Sequence, residues 1–222
     1  MRKLAVNSFI TLDGIMQAPG GPDEDPKGGF IYGGWSVNYW DDIMGKVMDD
    51  FMSKPFDLLL GRKTYEIFAS YWPYAKNNPT ADVLNNIKKY VASGTLTKVD
   101  WNNSTLIKGD IVQGIKKLKS EDGPEIQVHG SSNLIQTLLK NKLIDLYRIW
   151  IFPVTVGKGK RLFDEGTVPA SFTLIDTKIA TSGVIIADYE PGGELKTGSF
   201  ALENPSSDEL KRRERIKAEE KL

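Results

Sequence analysis

The sequence predicts an α/β protein: a mixed, mostly parallel central sheet flanked by helices and closed by a C-terminal antiparallel hairpin. Two observations predict it. Strand-like and helix-like segments alternate through the first two thirds of the chain, which implies crossover connections and a sheet covered on both faces. Two or three strands then follow without helices between them, which suits an antiparallel edge on the same sheet.

The elements can be read in order. Residues 2–10 (RKLAVNSFI) form a first strand, and a long Gly- and Pro-rich loop follows over 13–35. Loops of that length inside a compact domain are usually functional or mobile. Trp40, Ile43, Met44, Val47, Met48, Phe51 and Met52 recur at helical spacing, so 38–52 reads as an amphipathic helix. The apolar run 56–60 before Gly61 suits a buried strand, and a second helix opens near Lys63. Pro79-Thr80 starts a third helix with Val83, Leu84 and Ile87 inward. Short strands at 89–93 and 105–107 precede a helix marked by Ile111, Val112, Ile115 and Leu118. Gly123-Pro124 punctuates before the strand 125–129, and Leu134, Ile135, Leu138 and Leu139 mark the next helix. Residues 146–152 form a strand, and 171–177 with 184–189 pair through a turn at Thr181-Ser182-Gly183.

The pattern breaks at Pro191-Gly192-Gly193, so residues 1–191 are expected as the folded domain and 192–222 as a charged tail. Residues 206–222 are nearly all polar, which fits a solvated helix or disordered segment, or else a partner-binding tail.

Composition removes several classes of function. Lys plus Arg equals Asp plus Glu at 29 each, so the surplus of positive charge that nucleic acid or anionic membrane would need is absent. With no cysteine and one histidine, His129, neither cysteine-based metal sites nor two-histidine sites can form. No metal centre is expected. No apolar run approaches the roughly 18 residues of a membrane span, and the first residues read as a strand, not a signal peptide. The expectation is a cytoplasmic protein acting on a small molecule.

Four segments could carry chemistry. In Leu60-Gly61-Arg62-Lys63-Thr64, a strand ends in glycine and opens a helix, where free N–H groups and the dipole favour an anion. Arg62 and Lys63 add positive charge and Thr64 a hydroxyl; a glycine turn with two solvated bases is the equal alternative. His129-Gly130-Ser131-Ser132-Asn133 repeats the arrangement, with Gly130 allowing close approach to a pyrophosphate, or simply a serine-capped turn. Two such turns at the ends of different strands strengthen each other, because ligands of open α/β sheets collect at those carboxyl ends. The fingerprint G-x-G-x-x-G is missing, which disfavours a standard Rossmann domain. Asp13, in SFITLDG, either holds the amino or imino edge of a flat heterocycle or is a turn aspartate. The run 157–163 (GKGKRLF) lacks the P-loop ending and reads as a structural turn. Trp35, Trp40, Tyr71 and Trp72 are core or rim residues, any of which could stack on a ring.

LLLGRKTYEIFASYW, VHGSSNLIQTLL and LIDLYRIWIFPVTVGKGKRLF resemble, in order and spacing, the dihydrofolate-reductase-like family that includes the RibD C-terminal domain. SFITLDG resembles its opening strand and FTLIDTKIATSGVIIADYEP its closing hairpin, so the resemblance spans about residues 2–191. It implies an NADPH-binding reductase domain, usually homodimeric, acting on a small heterocycle as in riboflavin biosynthesis. The alternatives are dihydrofolate reduction and a non-catalytic module on the same fold. By position, the resemblance gives the cofactor phosphates to Gly61, Arg62, Lys63 and Thr64, with Ser93 near the adenosine phosphate. It gives the pyrophosphate to Gly130, Ser131, Ser132 and Asn133, and it sets Ala5 behind the nicotinamide. Asp13 would sit beside the substrate as the candidate proton donor, with Trp40, Asp41 or Asp42, and His129 at the substrate edge. His129 stands where riboflavin reductases generally carry glutamate, and the deaminase domain often fused to them is absent.

Overall fold

A computed structural model describes residues 1–220; the last two residues of the expected tail, Lys221 and Leu222, lie outside the described residues. Eight strands form one sheet: β1 (Leu4–Thr11), β2 (Phe56–Gly61), β3 (Lys89–Ala92), β4 (Ser104–Ile107), β5 (Glu125–Val128), β6 (Leu146–Phe152), β7 (Ser171–Ile179) and β8 (Ile185–Gly193). Their order is β4-β3-β2-β5-β1-β6-β8-β7. Neighbours from β4 through β6 pair in parallel, whereas β8 runs antiparallel to both β6 and β7. The expected mixed sheet with its closing hairpin is therefore present. The helices are α1 (Asp42–Met52), α2 (Arg62–Tyr71), α3 (Pro79–Asn86), α4 (Ile111–Ser120), α5 (Ser132–Lys140) and α6 (Ser207–Glu219). Among the described residues, no helix is long and apolar enough to cross a membrane.

One expected boundary moves. The helix read over 38–52 begins only at Asp42, because Asp41 is extended and its carboxylate accepts the Met44 N–H at 2.9 Å. An aspartate that satisfies a free first-turn N–H fixes a helix start more strongly than apolar spacing does. Val37–Tyr39 instead form a single 3₁₀ turn, and Trp40 lies between the two helices.

The two faces of the sheet are packed differently. On one, a single cluster joins Leu4, Val6, Ile126, Val128 and Ile149 to Ile115 and Leu118 of α4 and to Leu134, Ile135 and Leu138 of α5. On the other, apolar packing is split. Phe56, Leu58 and Leu60 meet Tyr65 of α2 and Leu84 of α3. Further along, Trp150, Phe152 and Ile186 meet Met44 of α1. Between these clusters runs a polar band that includes an in-register row, Asn7–Arg148–Asp188, across β1, β6 and β8. Side chains alternate between faces along a strand, so this band belongs to one face only.

After β8 the chain is exposed. α6 buries no residue and is supported by its own ion pairs, Glu209 with Arg212 at 2.6 Å and with Arg213 at 2.8 Å.

The amino-terminal end of the sheet is tied by a buried ion pair. The Arg2 guanidinium donates to the Asp57 carboxylate at 2.5 Å and to the Pro124 carbonyl at 2.6 Å, with side-chain exposures of 3% and 8% for the pair. Asp57→Ala would leave a buried guanidinium without its counter-charge. The expected cost is about 3–5 kcal/mol in denaturant unfolding, and a loss below about 1 kcal/mol would contradict the role given to the pair.

Candidate functional site

β2 and β5 are parallel neighbours, so the turns that follow them emerge at the same end of the sheet. The two turns touch. The Gly61 N–H donates to the Gly130 carbonyl at 3.1 Å. A Cβ at residue 61 would fall 2.2 Å from Ser131 Oγ and 2.9 Å from the Ser131 nitrogen. A Cβ at residue 130 would fall 2.4 Å from Thr64 Oγ1, and Gly130 has φ +142°, a region L side chains rarely adopt. Only glycine at both positions allows so close an approach. The Gly130–Ser131 peptide bond is cis.

Helices α2 and α5 start at this contact, and neither has a side-chain cap. By contrast, α1, α3, α4 and α6 are capped by Asp41, Asn78, Asp110 and Ser206. First-turn N–H groups without a cap, at the positive end of a helix dipole, suit an anion. Arg62, Lys63 and Thr64 of α2 and Gly130, Ser131, Ser132 and Asn133 of the second turn line a common cleft. Arg62 and Lys63 share one carboxylate, Glu66, at 3.1 and 3.4 Å, so the group keeps a net positive charge.

The cleft has a volume of about 930 Å³ and runs from the two turns across the polar band of the sheet. Phe9, Trp40 and Trp150 form an aromatic wall, with ring centroids 5.2–6.0 Å apart. Arg148 lies on the floor, gripped by Glu125 at 2.6 and 3.0 Å and by Asp188 at 3.6 Å. The Phe51 ring of α1 stands 4.8 Å from its guanidinium carbon. Burial pushes the Asp188 pKa up, against the attraction of Arg148.

His129 is packed against Phe51 and Phe68. The Gln127 amide nitrogen donates to Glu125 at 3.2 Å, and its oxygen lies 3.3 Å from His129 Nε2. The oxygen can only accept, so the neutral imidazole carries its proton on Nε2. Burial, then the positive charge of Arg148, lower the His129 pKa from 6.5 to about 4.

The structure therefore brings together Arg62, Lys63, Thr64, Gly130, Ser131, Ser132, Asn133, Trp40 and His129. Six expected residues do not line the cleft: Asp42 opens the first turn of α1 outside it, and the other five are placed for visible reasons. Asp13 holds a loop: its carboxylate accepts from Thr11 Oγ1 at 2.5 Å, the Gly157 N–H at 2.7 Å and the Val156 N–H at 3.3 Å. Burial alone would raise its pKa, but these bonds together hold it below the usual value. Asp41 caps α1 and also accepts from Thr181 N and Oγ1, each at 2.6 Å. The Thr181 hydroxyl first, then the Met44 N–H, hold its pKa at about 2. Ser93 is buried in its own turn, where its hydroxyl accepts from the Thr95 and Leu96 N–H groups. Ala5 is fully buried two residues before the stretch of β1 that lines the cleft, Asn7, Ser8 and Phe9. Gly61 lies beneath Ser131 and acts as the spacer that lets the turns meet.

Asn7, Glu125, Gln127, Arg148 and Asp188 were not singled out from the sequence, although a signal was present. A central parallel strand covered on both faces should be apolar throughout. The segment EIQVH alternates instead, and Asn7 and Arg148 interrupt two further strands of the same sheet. That pattern marks a face without a continuous apolar cluster.

His129 is the sole histidine, so its titration can be read without assignment ambiguity. Its imidazole NMR signals should stay in the neutral form down to about pH 5, given a pKa near 4. The unfolded chain binds a proton near 6.5 and the folded chain only near 4. This contribution to stability is thus complete above 6.5 and disappears as pH falls toward 4. Titration of the folded protein near pH 6.5 would contradict the burial.

The family model of the RibD C-terminal domain matches residues 2–186. "Uncharacterized protein YyaP" of Bacillus subtilis (strain 168) is 29% identical over 196 residues, covering 86% of this chain and 96% of the relative. A crystal structure of a Shewanella sp. PV-4 protein assigned to riboflavin biosynthesis superposes with TM-score 0.62 and 25% identity, covering 85% of this chain and 98% of that one. Dihydrofolate reductase from Enterococcus faecalis, complexed with NADP(H), shares the fold at TM-score 0.55 and 13% identity, covering 86% and 96% of the two chains. Five segments of sequence, the strand order and these matches agree: the chain belongs to the RibD C-terminal domain family.

Proposed function

We propose that the chain is an NADPH-dependent reductase of a small heterocyclic substrate, similar to the pyrimidine reductases of riboflavin biosynthesis. The observation that carries the reading is the meeting of two uncapped helix starts at one cleft, with Arg62 and Lys63 beside them. A dinucleotide has two kinds of anion to satisfy, and the site offers two kinds of partner. The N–H groups of Ser132 and Asn133 and of the first turn of α2 suit the pyrophosphate. Arg62 and Lys63 suit the additional phosphate that distinguishes NADPH from NADH. The related fold of Enterococcus faecalis dihydrofolate reductase accommodates NADP(H).

Bound in this cleft, NADPH would supply the hydride. The protein's own part is to bind, orient and exclude water. The Phe9–Trp40–Trp150 wall offers stacking surface to a planar ring. Arg148 is paired with two carboxylates, Glu125 and Asp188, and His129 is neutral, so the floor presents hydrogen-bonding edges and one negative charge in excess. Such a floor disfavours an anionic ring. With its carboxylate committed to the 156–157 loop, Asp13 no longer enters as proton donor.

Isothermal titration should show saturable NADPH binding, and consumption of NADPH should be screened with pyrimidines, pteridines and dihydrofolate. Replacing Arg62 and Lys63 together by alanine should weaken NADPH by about tenfold or more while changing NADH by less than about threefold. Equal losses for both nucleotides would remove these side chains from the phosphate role. Absence of NADPH binding to the unmodified protein would overturn the reading.

A further inference from the structure

Asn7 is the exception in an otherwise satisfied floor. It sits in β1 between β5 and β6, is 8% exposed, and lines the cleft. Its side-chain nitrogen and oxygen are both buried, and neither has a hydrogen-bond partner among the described residues. Its neighbours cannot provide one. Arg148, directly opposite on β6, has turned its guanidinium to Glu125 and Asp188. His129, Gln127 and Glu125 are joined in a chain of their own. The other buried side-chain atom without a partner, Ser104 Oγ, is on β4 and does not line the cleft.

An amide buried without partners destabilises a fold, because both of its polar atoms have given up water for nothing. Leucine is close in size and would fill the position without that penalty. A group held in so unfavourable a state beside an open cleft suits a ligand that completes it. The required chemistry follows from the side chain: one acceptor for its N–H and one donor for its C=O, side by side and coplanar.

We propose that the Asn7 carboxamide is a binding group for a complementary amide edge, –C(=O)–NH–, presented by a ligand in this cleft. The proposal rests on the reading of the cleft as a reductase site, since both molecules expected there carry such an edge. One is the carboxamide of the nicotinamide ring; the other is the lactam edge of a pyrimidinone or pteridinone substrate. Asn7 thereby decides which rings the cleft retains, and does so at the expense of the empty protein's stability.

Asn7→Leu and Asn7→Ala separate these sources from a purely structural role. Without ligand, Asn7→Leu should raise Tm by about 2–6 °C. Three titrations then follow: NADPH, 2′-phospho-ADP-ribose (the same phosphates without nicotinamide), and uracil added to NADPH-saturated protein. If Asn7 meets the nicotinamide, both variants should bind NADPH about tenfold or more weakly and 2′-phospho-ADP-ribose as before. If it meets the substrate, NADPH affinity should be unchanged and uracil affinity should fall by a similar factor. Variants that bind all three probes as the unmodified protein does would overturn the proposal. Asn7→Ala supplies the binding comparison should leucine not be accommodated. Failure of the unmodified protein to bind NADPH would instead take down the reductase reading, and this inference with it.

Discussion

The contact between two chain reversals organises everything that follows from this fold. Gly61 and Gly130 meet through a backbone hydrogen bond of 3.1 Å, in a space where a Cβ on either side would strike Ser131 or Thr64. The parallel register of β2 with β5 makes the meeting possible by bringing both strand ends to the same edge of the sheet. Helices α2 and α5 diverge from that point, and their dipoles add at one place. Separated by a further strand, the same two helix starts would be two weak sites for small anions. In contact, they present two uncapped helix starts to one cleft.

The second constraint is the unequal packing of the sheet. One face is closed by a continuous apolar cluster under α4 and α5, which supplies the burial a domain of this size needs. The other gives up continuity between two smaller clusters, and the interval becomes the floor of the cleft. A polar band there is tolerable because most of it is internally satisfied. Arg148 answers Glu125 and Asp188, and Gln127 links Glu125 to His129. The low pKa of His129 belongs to the same economy of charge: beside Arg148 and under aromatic rings, the imidazole is stable only when neutral. Asn7 alone stands outside the network.

How much of this could be read in the sequence depended on the range of the interactions involved. Strand β6 over Leu146–Phe152 and helix α3 from Pro79 were legible because apolar periodicity and a proline at the helix start act within a few residues. The strand–glycine–helix junctions at Gly61 and Gly130 were legible for the same reason, each being local. Asp13 and Asp41 were misread as substrate groups because their partners lie about 140 residues away, at Val156, Gly157 and Thr181. No local pattern shows that a turn carboxylate is already taken. Lys89 is a similar case: a lysine at a strand start looks solvated, yet it is fully buried and donates to the Leu84 and Ile87 carbonyls that end α3. The floor residues differed again, since the alternation in EIQVH was visible but gains meaning only once β5 is known to be central.

Amide hydrogen exchange with and without NADPH tests the joint grip most directly. Protection should appear together in two segments far apart in sequence, the first turn of α2 at 62–65 and the turn into α5 at 131–134. Protection of one segment alone, or of neither while the nucleotide is bound, would mean that the two turns do not share a ligand.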